Sequence, residues 1–424
     1  MMLKCELKKF FSKMTNKLIL AVLLLVSVII SFLAVDSMNY SDTGEEFASG
    51  TGRITVGRSR TSDKNKWKGR LTPKKIADAV GNYHKLEKAD SESVWSDRSV
   101  KEEPLYLDIL YFAANIYQTE SDVVHADLDR LAEEDIEHIY DTYADNLQKV
   151  AKEYGETPEQ EKLLREQYGK IEIPVTYEAY DSWKTMATYA EMYILILVVV
   201  IGFLAAEILG EEFRNHTEQV FFTAKYGRSK AVRNKIITGI LTTTIVYWVG
   251  IGILSLISFG MMGVSGYDTP YQMEDPYNMY IVTQGQYYLL IVVCGYIASL
   301  LSASITMLIT SKMHTEKIAV FIPIIMYWVP LIMGNRLSTM TKVFYFLTSA
   351  LVNIDKGINY MTFFQMGNVV IRLIPFVMVL YAAVFLILLP YVYRSYLGYD
   401  SAKHSHRESR KRCRMERKLE ERSI

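Results

Sequence analysis

The stretch Leu18-Ile-Leu-Ala-Val-Leu-Leu-Leu-Val-Ser-Val-Ile-Ile-Ser-Phe-Leu-Ala-Val35 carries no charge from end to end. Its length is about what a helix needs to cross a hydrocarbon core. Lys4, Lys8, Lys9, Lys13 and Lys17 precede it. A basic flank followed by an apolar run is also the pattern of a cleaved secretory signal. Here Phe32 sits two positions before Ala34, and Asp36 follows Val35, which makes a poor cleavage site. The stretch therefore reads as an uncleaved signal anchor, the first span of a membrane protein.

Similar blocks recur later: Met186 to Leu209, Ile236 to Val264, Tyr287 to Thr310, Ile318 to Met333 and Ile371 to Tyr393. The fourth of these is short and contains Pro323 and Pro330, which a membrane helix tolerates where neighbours re-satisfy the freed carbonyls. The expected fold is mainly α: about six transmembrane helices, with a long polar insert between the first two. The 424 residues are 50% hydrophobic and 22% charged, with a net charge of +0. Those averages hide a segregation of apolar blocks from charged loops. Cys5, Cys294 and Cys413 are the three cysteines, and none lies in the polar insert. The insert must fold without a disulfide of its own.

Lys and Arg in short loops set orientation. A cytoplasmic N-terminus also places Arg214, Lys225, Arg228, Lys230, Arg233, Lys235, Lys312 and Lys317 inside. The tail, residues 394–424, falls inside too, with Arg407, Arg410, Lys411, Arg412, Arg414, Arg417 and Lys418. The opposite loop Gly266 to Tyr280 has Asp268, Glu274 and Asp275 and no Lys or Arg. An even span count with both termini cytoplasmic, in the cell membrane, fits every loop. The basic tail is then suited to anionic lipid headgroups, and no fold signal points to nucleic acid.

The insert, residues 36–185, is on this reading extracytoplasmic. It holds about 20 Lys and Arg against about 31 Asp and Glu, and is long enough for its own core. Thr72-Pro73 opens a helix with Ile76, Ala79, Val80 and Tyr83 on one face. Pro104 opens a second, with Leu105, Ile109, Leu110, Ala113 and Ile116. Leu128, Leu131, Ile136, Ile139 and Tyr143 suggest a third, and Pro158 starts a fourth with Leu163, Leu164 and Tyr168. Tyr40 to Arg70, rich in Gly, Ser, Thr and charge, reads as partly extended or mobile. Glu134 and His138 lie one turn apart with His125 nearby, but no third ligand is set by spacing, and a solvated acidic helix is the expectation. HExxH and GxSxG patterns are absent from the sequence, and no catalytic role is expected.

Three further segments are informative. Leu3, Leu7, Phe10, Phe11 and Met14 share a helical face, with Lys4, Lys8, Lys9 and Lys13 elsewhere on the turn. Residues 1–17 thus read as an amphipathic helix lying in the inner interface of the lipid bilayer. Residues 335–370 are too apolar for a plain loop. The loop of residues 210–235, Gly-Glu-Glu-Phe-Arg-Asn-His-Thr-Glu-Gln-Val-Phe-Phe-Thr-Ala-Lys-Tyr-Gly-Arg-Ser-Lys-Ala-Val-Arg-Asn-Lys, begins acidic and ends basic. Thr217, Val220, Phe221 and Ala224 give it an apolar strip, and Tyr226-Gly227-Arg228 a break. A short amphipathic helix there is either a docking knob for a soluble partner or a helical loop on the membrane surface.

That loop resembles the one in ABC type-2 exporter permeases. They have a Glu after the second span, a Thr about one and a half turns on, an apolar strip, a turn with Arg, and a Lys entering the third span. Glu212, Thr217, Val220, Phe221, Arg228 and Lys235 follow that order, with Glu211, Arg214 and Lys225 alongside. The architecture of the whole chain is similar as well, while the residue match lies in this one loop. The large insert departs from the many members that have only a short segment there, which leaves the substrate class open. The resemblance implies a coupling helix fitting a cleft on a separate ABC ATPase subunit, with ATP and magnesium bound there. It also implies a second permease subunit, in a homodimer or heterodimer, and export of a peptide or other amphipathic compound. In that family, segments like residues 335–370 form short helices dipping into the outer leaflet; packing under the insert is the other reading.

No GxxxxGK[ST] loop occurs in the sequence, so this chain is not expected to bind ATP or any cofactor. Glu207 and Arg372 lie near span ends, where snorkelling is cheap, and Glu191 lies near the outer end of the second span. Gly295, Ala298, Ser299, Ser302, Ala303 and Ser304 form a small-residue face suited to helix packing. Three rivals remain. A mechanotransmitting ABC subunit also has an external domain after its first span, but usually four spans. A sensor would need a larger cytoplasmic output domain. A membrane-embedded enzyme would need a catalytic constellation.

Overall fold

The computed structural model describes residues 2–40, 53–89, 105–117, 135–319, 321–330, 351–359 and 361–398. It is a mainly α, polytopic membrane protein. Five of the described helices are long and apolar enough to cross a membrane. The chain opens with α1 (Met2–Ser12), breaks at Lys13, and enters the first span, α2 (Met14–Ser37). The polar domain follows as α3 (Arg53–Lys64), β1 (Gly69–Arg70), α4 (Pro73–Ala89), α5 (Leu107–Tyr117), α6 (Ile139–Tyr154), α7 (Pro158–Tyr168) and β2 (Thr176–Tyr177). Then come the second span α8 (Asp181–Arg214), a short helix α9 (Glu218–Thr223), and the third span α10 (Val232–Met262). The fourth, α11 (Gln284–Met313), is followed by short helix α12 (Ile354–Asn359), the hairpin β3 (Phe363–Met366) and β4 (Val369–Arg372), and the last span α13 (Leu373–Leu397).

The block expected as the fifth span, Ile318 to Met333, is described only in part. Its described part is a short helical stretch that turns to π geometry over Ile324–Trp328, directly after Pro323. Proline removes a hydrogen-bond donor, and one inserted residue per turn relieves the resulting clash. Residues 331–333 lie outside the described residues.

Spans α8 and α11 form the centre of the bundle, while α13 lies at its edge. The small-residue face of α11 packs as expected. A Cβ on Gly295 would sit 2.7 Å from Ile194 Cδ1, and one on Gly202 would sit 2.9 Å from Ser302 Oγ. Hydroxyls tie the helices across these close approaches. Ser302 Oγ donates to the Val198 carbonyl at 2.7 Å, Tyr247 to Val292 at 2.6 Å, and Ser27 on α2 to Gly250 at 3.1 Å. In lipid, where apolar burial between helices gives little, such bonds and tight packing carry association.

The polar domain has the helical core expected of it: Ile76, Ala79, Val80, Ile109, Leu110, Ala113, Ile116, Ile136, Ile139, Tyr143 and Leu164 are buried. Thr157 caps α7, accepting from Gln160 N at 3.3 Å, with Pro158 in the first turn. Within Tyr40 to Arg70, residues 53–64 are helical and Gly69–Arg70 form a short strand, while 41–52 lie outside the described residues. His125 and Glu134, and Pro104, Leu128 and Leu131, lie outside the described residues. His138 is exposed beside Asp141, and no group of metal-ligating side chains occurs among the described residues.

Among the described residues, three of the fastenings of the domain to the bundle stand out. Lys64 is buried between Asp108 on α5, at 3.1 Å, and Asp181 at the start of α8, at 2.6 Å. The structured loop between α10 and α11 accepts from Tyr143 at the Pro276 carbonyl (2.6 Å) and from Tyr168 at the Tyr277 carbonyl (2.8 Å). Gln365 on β3 accepts from Thr157 Oγ1 at 2.8 Å and Gln160 Nε2 at 3.0 Å. The described part of residues 335–370 thus packs against the polar domain, the second of the two readings above.

Candidate functional site

The second span α8 ends in a turn closed on itself. His216 N donates to Phe213 O and Thr217 N to Glu212 O, with His216 in the left-handed region where glycine is usual. The final turns of α8 carry Glu207, Glu211 and Glu212, all three buried. Spacing of four and five residues puts them on adjacent faces. Carboxylates cannot be buried in an ionised state unless cations meet them, and four do so here.

Lys9 on α1 reaches Glu211 at 2.8 Å and Glu212 at 3.5 Å. Lys13, in the break after α1, reaches Glu211 at 2.7 Å and Glu207 at 3.3 Å. Arg214 pairs with Glu207 at 3.1 Å. Lys235, only 1% exposed, reaches back from α10 to Glu212 at 2.9 Å and Glu6 at 3.5 Å, and donates to the Ile208 carbonyl at 3.0 Å. Tyr396 on α13 completes the cluster. Its hydroxyl lies 3.2 Å from Glu212 Oε2 and 3.1 Å from the Leu209 carbonyl. Four carboxylates thus face four cations. Burial alone would lower the Lys9 pKa, but the Glu211 hydrogen bond and the Glu212 and Glu211 charges outweigh it and hold the ammonium above its usual value.

Above this floor stands the loop. Helix α9 turns its buried Phe222 and half-buried Phe221 inward, against Tyr396 and Phe213. Gly227 is forced by the chain: a Cβ there would lie 1.8 Å from the Phe221 carbonyl oxygen. This is the expected break, and a π turn over Gly227–Ala231 leads into α10. Outward, Val220 is 73% exposed, and Thr217, Lys225, Tyr226, Lys230 and Arg233 are exposed with it. Lys225 and Lys230 flank the Tyr226 ring, 5.6 and 4.9 Å from its centroid.

The residues singled out in the loop therefore divide between two faces. Glu211, Glu212, Arg214, Phe221 and Lys235 belong to the floor or its cover; Thr217, Val220 and Lys225 belong to the outer surface. Arg228 is exposed but tied down, its Nε donating to the Phe222 carbonyl at 3.3 Å and its guanidinium 5.6 Å from the Phe222 ring. In the N-terminal helix, Phe10 is buried and Leu3, Leu7 and Phe11 are half-buried. Met14 does not share their face: it starts α2 beyond the break and is 79% exposed. Glu207 does not snorkel either; it is 2% exposed and paired. Lys9, Lys13, Glu207, Phe222 and Tyr396 were not expected in the site. Three glutamates within six residues beside a lysine-rich helix was a signal for the first three, and Tyr396 had none.

No family model matches the sequence, and no curated protein or solved structure is similar enough to it to match.

Proposed function

We propose that this protein is the permease subunit of an ABC transporter. The loop of residues 215–231 is its docking surface for a separate ATPase subunit, on the cytoplasmic side with both termini. The observation that carries the reading is the division of that loop: an outward face of Val220, Lys225, Tyr226 and Lys230 on a buried floor joined to three spans and the N-terminal helix. A force applied to the outward face has a direct ionic route into α8, α10 and α13. Such a surface suits a cleft with an apolar base for Val220 and an acidic rim. ATP and magnesium belong to the partner. A second permease subunit, the same chain or a related one, completes the translocation route, and the cargo is a peptide or other amphipathic compound.

The direct test is purification from native membranes in mild detergent, followed by identification of stoichiometric partners. An ABC ATPase in the complex is the expected result. Its absence, under conditions that keep a known transporter intact, would count decisively against this reading and move a sensor to the front. A second reading has its own support. The fastenings of the polar domain to the bundle suit a mechanotransmitter, in which ATP-driven motion works an external domain and no substrate passes.

A further inference from the structure

Between α1, the Lys13 break, α8 and α10 lies a cavity of about 10 Å³, lined by Glu6, Phe10, Lys13, Glu207, Glu211 and Thr238. Two buried polar atoms on its wall have no hydrogen-bond partner: Glu207 Oε2 and Thr238 Oγ1. Thr243 and Thr244 on the same helix donate to carbonyls one turn back, at 2.9 Å each, while Thr242 is unpartnered like Thr238 but does not line the cavity. The Thr238 hydroxyl makes no such bond, although it is fully buried. An orphaned acceptor on a carboxylate is costly to bury, as is an orphaned hydroxyl.

We propose that this cavity is a binding site for one ordered water molecule. Its size is about the least that seats a water, and its wall offers the two to four polar partners that a buried water needs. The water donates to Glu207 Oε2 and pairs with Thr238 Oγ1, with the Lys13 ammonium and the Glu6 and Glu211 carboxylates within the same wall. The charge balance favours water over an ion. Among the described residues, Lys9, Lys13, Arg214 and Lys235 already match Glu6, Glu207, Glu211 and Glu212, so a neutral ligand preserves a balance that a cation would upset. The N-terminal helix is thereby joined to the bundle in part through a solvent molecule, which can re-form its bonds when the helix shifts.

The test uses the full chain in lipid nanodiscs, with its structure determined at a resolution that shows ordered water. The expected result is one peak within about 2.7–3.2 Å of both Glu207 Oε2 and Thr238 Oγ1. An empty cavity overturns the proposal. So does a peak whose occupancy follows sodium or potassium concentration, which marks a monovalent cation. Thermal unfolding gives an independent reading. In a dry cavity Thr238→Val removes an orphaned hydroxyl and is neutral or stabilising. With water present it strips a partner from the water and lowers the melting temperature by about 2 °C, while Thr238→Ser keeps the parent value. A Thr238→Val protein at least as stable as the parent overturns the proposal.

Discussion

Glu212 meets Lys235 at 2.9 Å, Lys9 at 3.5 Å and Tyr396 at 3.2 Å, so one carboxylate holds four segments of the chain. Removing one member of a buried pair leaves the other charge uncompensated, at a cost of about 3–5 kcal/mol, whereas removing both is far milder. Lys235→Met and Glu212→Leu should each sharply lower the melting temperature of the purified protein, and the double variant should recover a large part of the loss. Additive losses would show that the two do not act as a pair. Gly227→Ala is a different kind of lesion. Its Cβ meets the Phe221 carbonyl at 1.8 Å, and a backbone oxygen cannot rotate away. We expect loss of folded protein in size-exclusion profiles, while Ser229→Ala, two residues on and exposed, has no effect. The glycine was legible as a break in the sequence. The burial of Glu207 was not, because a carboxylate near a span end reads the same whether it faces water or Lys13, 194 residues away in the chain.

Among the elements, α1 and the loop between α10 and α11 were read least completely. The apolar face of α1 was visible from its spacing, but its other face is no plain lipid-facing flank: Lys9 and Lys13 turn into the bundle. Periodicity identifies which residues of a helix share a face and says nothing about what that face meets. The loop between α10 and α11 carries Glu274 and Asp275, whose pKa values burial raises above the usual carboxylate range. A raised carboxyl pKa means that the folded loop binds protons more tightly than the unfolded one, so protonation stabilises it. The gain begins as pH falls through the raised values and is complete below the unfolded value near 4. Hydrogen exchange, corrected for its intrinsic pH dependence, should show residues 263–283 better protected at pH 5 than at pH 7.5. In a protein with Glu274→Gln and Asp275→Asn that difference should vanish. The reverse trend would show that Lys184, 3.6 Å from Glu274, dominates instead.

On the scale of the whole molecule, the apolar blocks announced a membrane protein, and five of six blocks became long helices. The block with two prolines is described only in part, as a helical stretch with a π turn after Pro323. The polar domain's helices were equally legible, but its attachment was not, since it rests on single side chains far apart in sequence. Lys64 and Asp181 are 117 residues apart in sequence, yet their charged groups meet at 2.6 Å. Lys64→Met should leave Asp108 and Asp181 facing each other, lower stability by about 3 kcal/mol, and expose the joint between domain and bundle to proteolysis. Unchanged cleavage would mean that the other fastenings suffice.

The two faces of the loop also differ in how far their fields reach. Inside, four positive and four negative groups cancel, and the cluster is nearly invisible from a distance. Outside, Lys225, Lys230 and Arg233 are exposed and project into solvent, where salt screens them over about 8 Å. Rising ionic strength should therefore loosen whatever rests on the loop while leaving the N-terminal helix in place. A salt wash of the membranes would separate an electrostatically held visitor from a permanent resident.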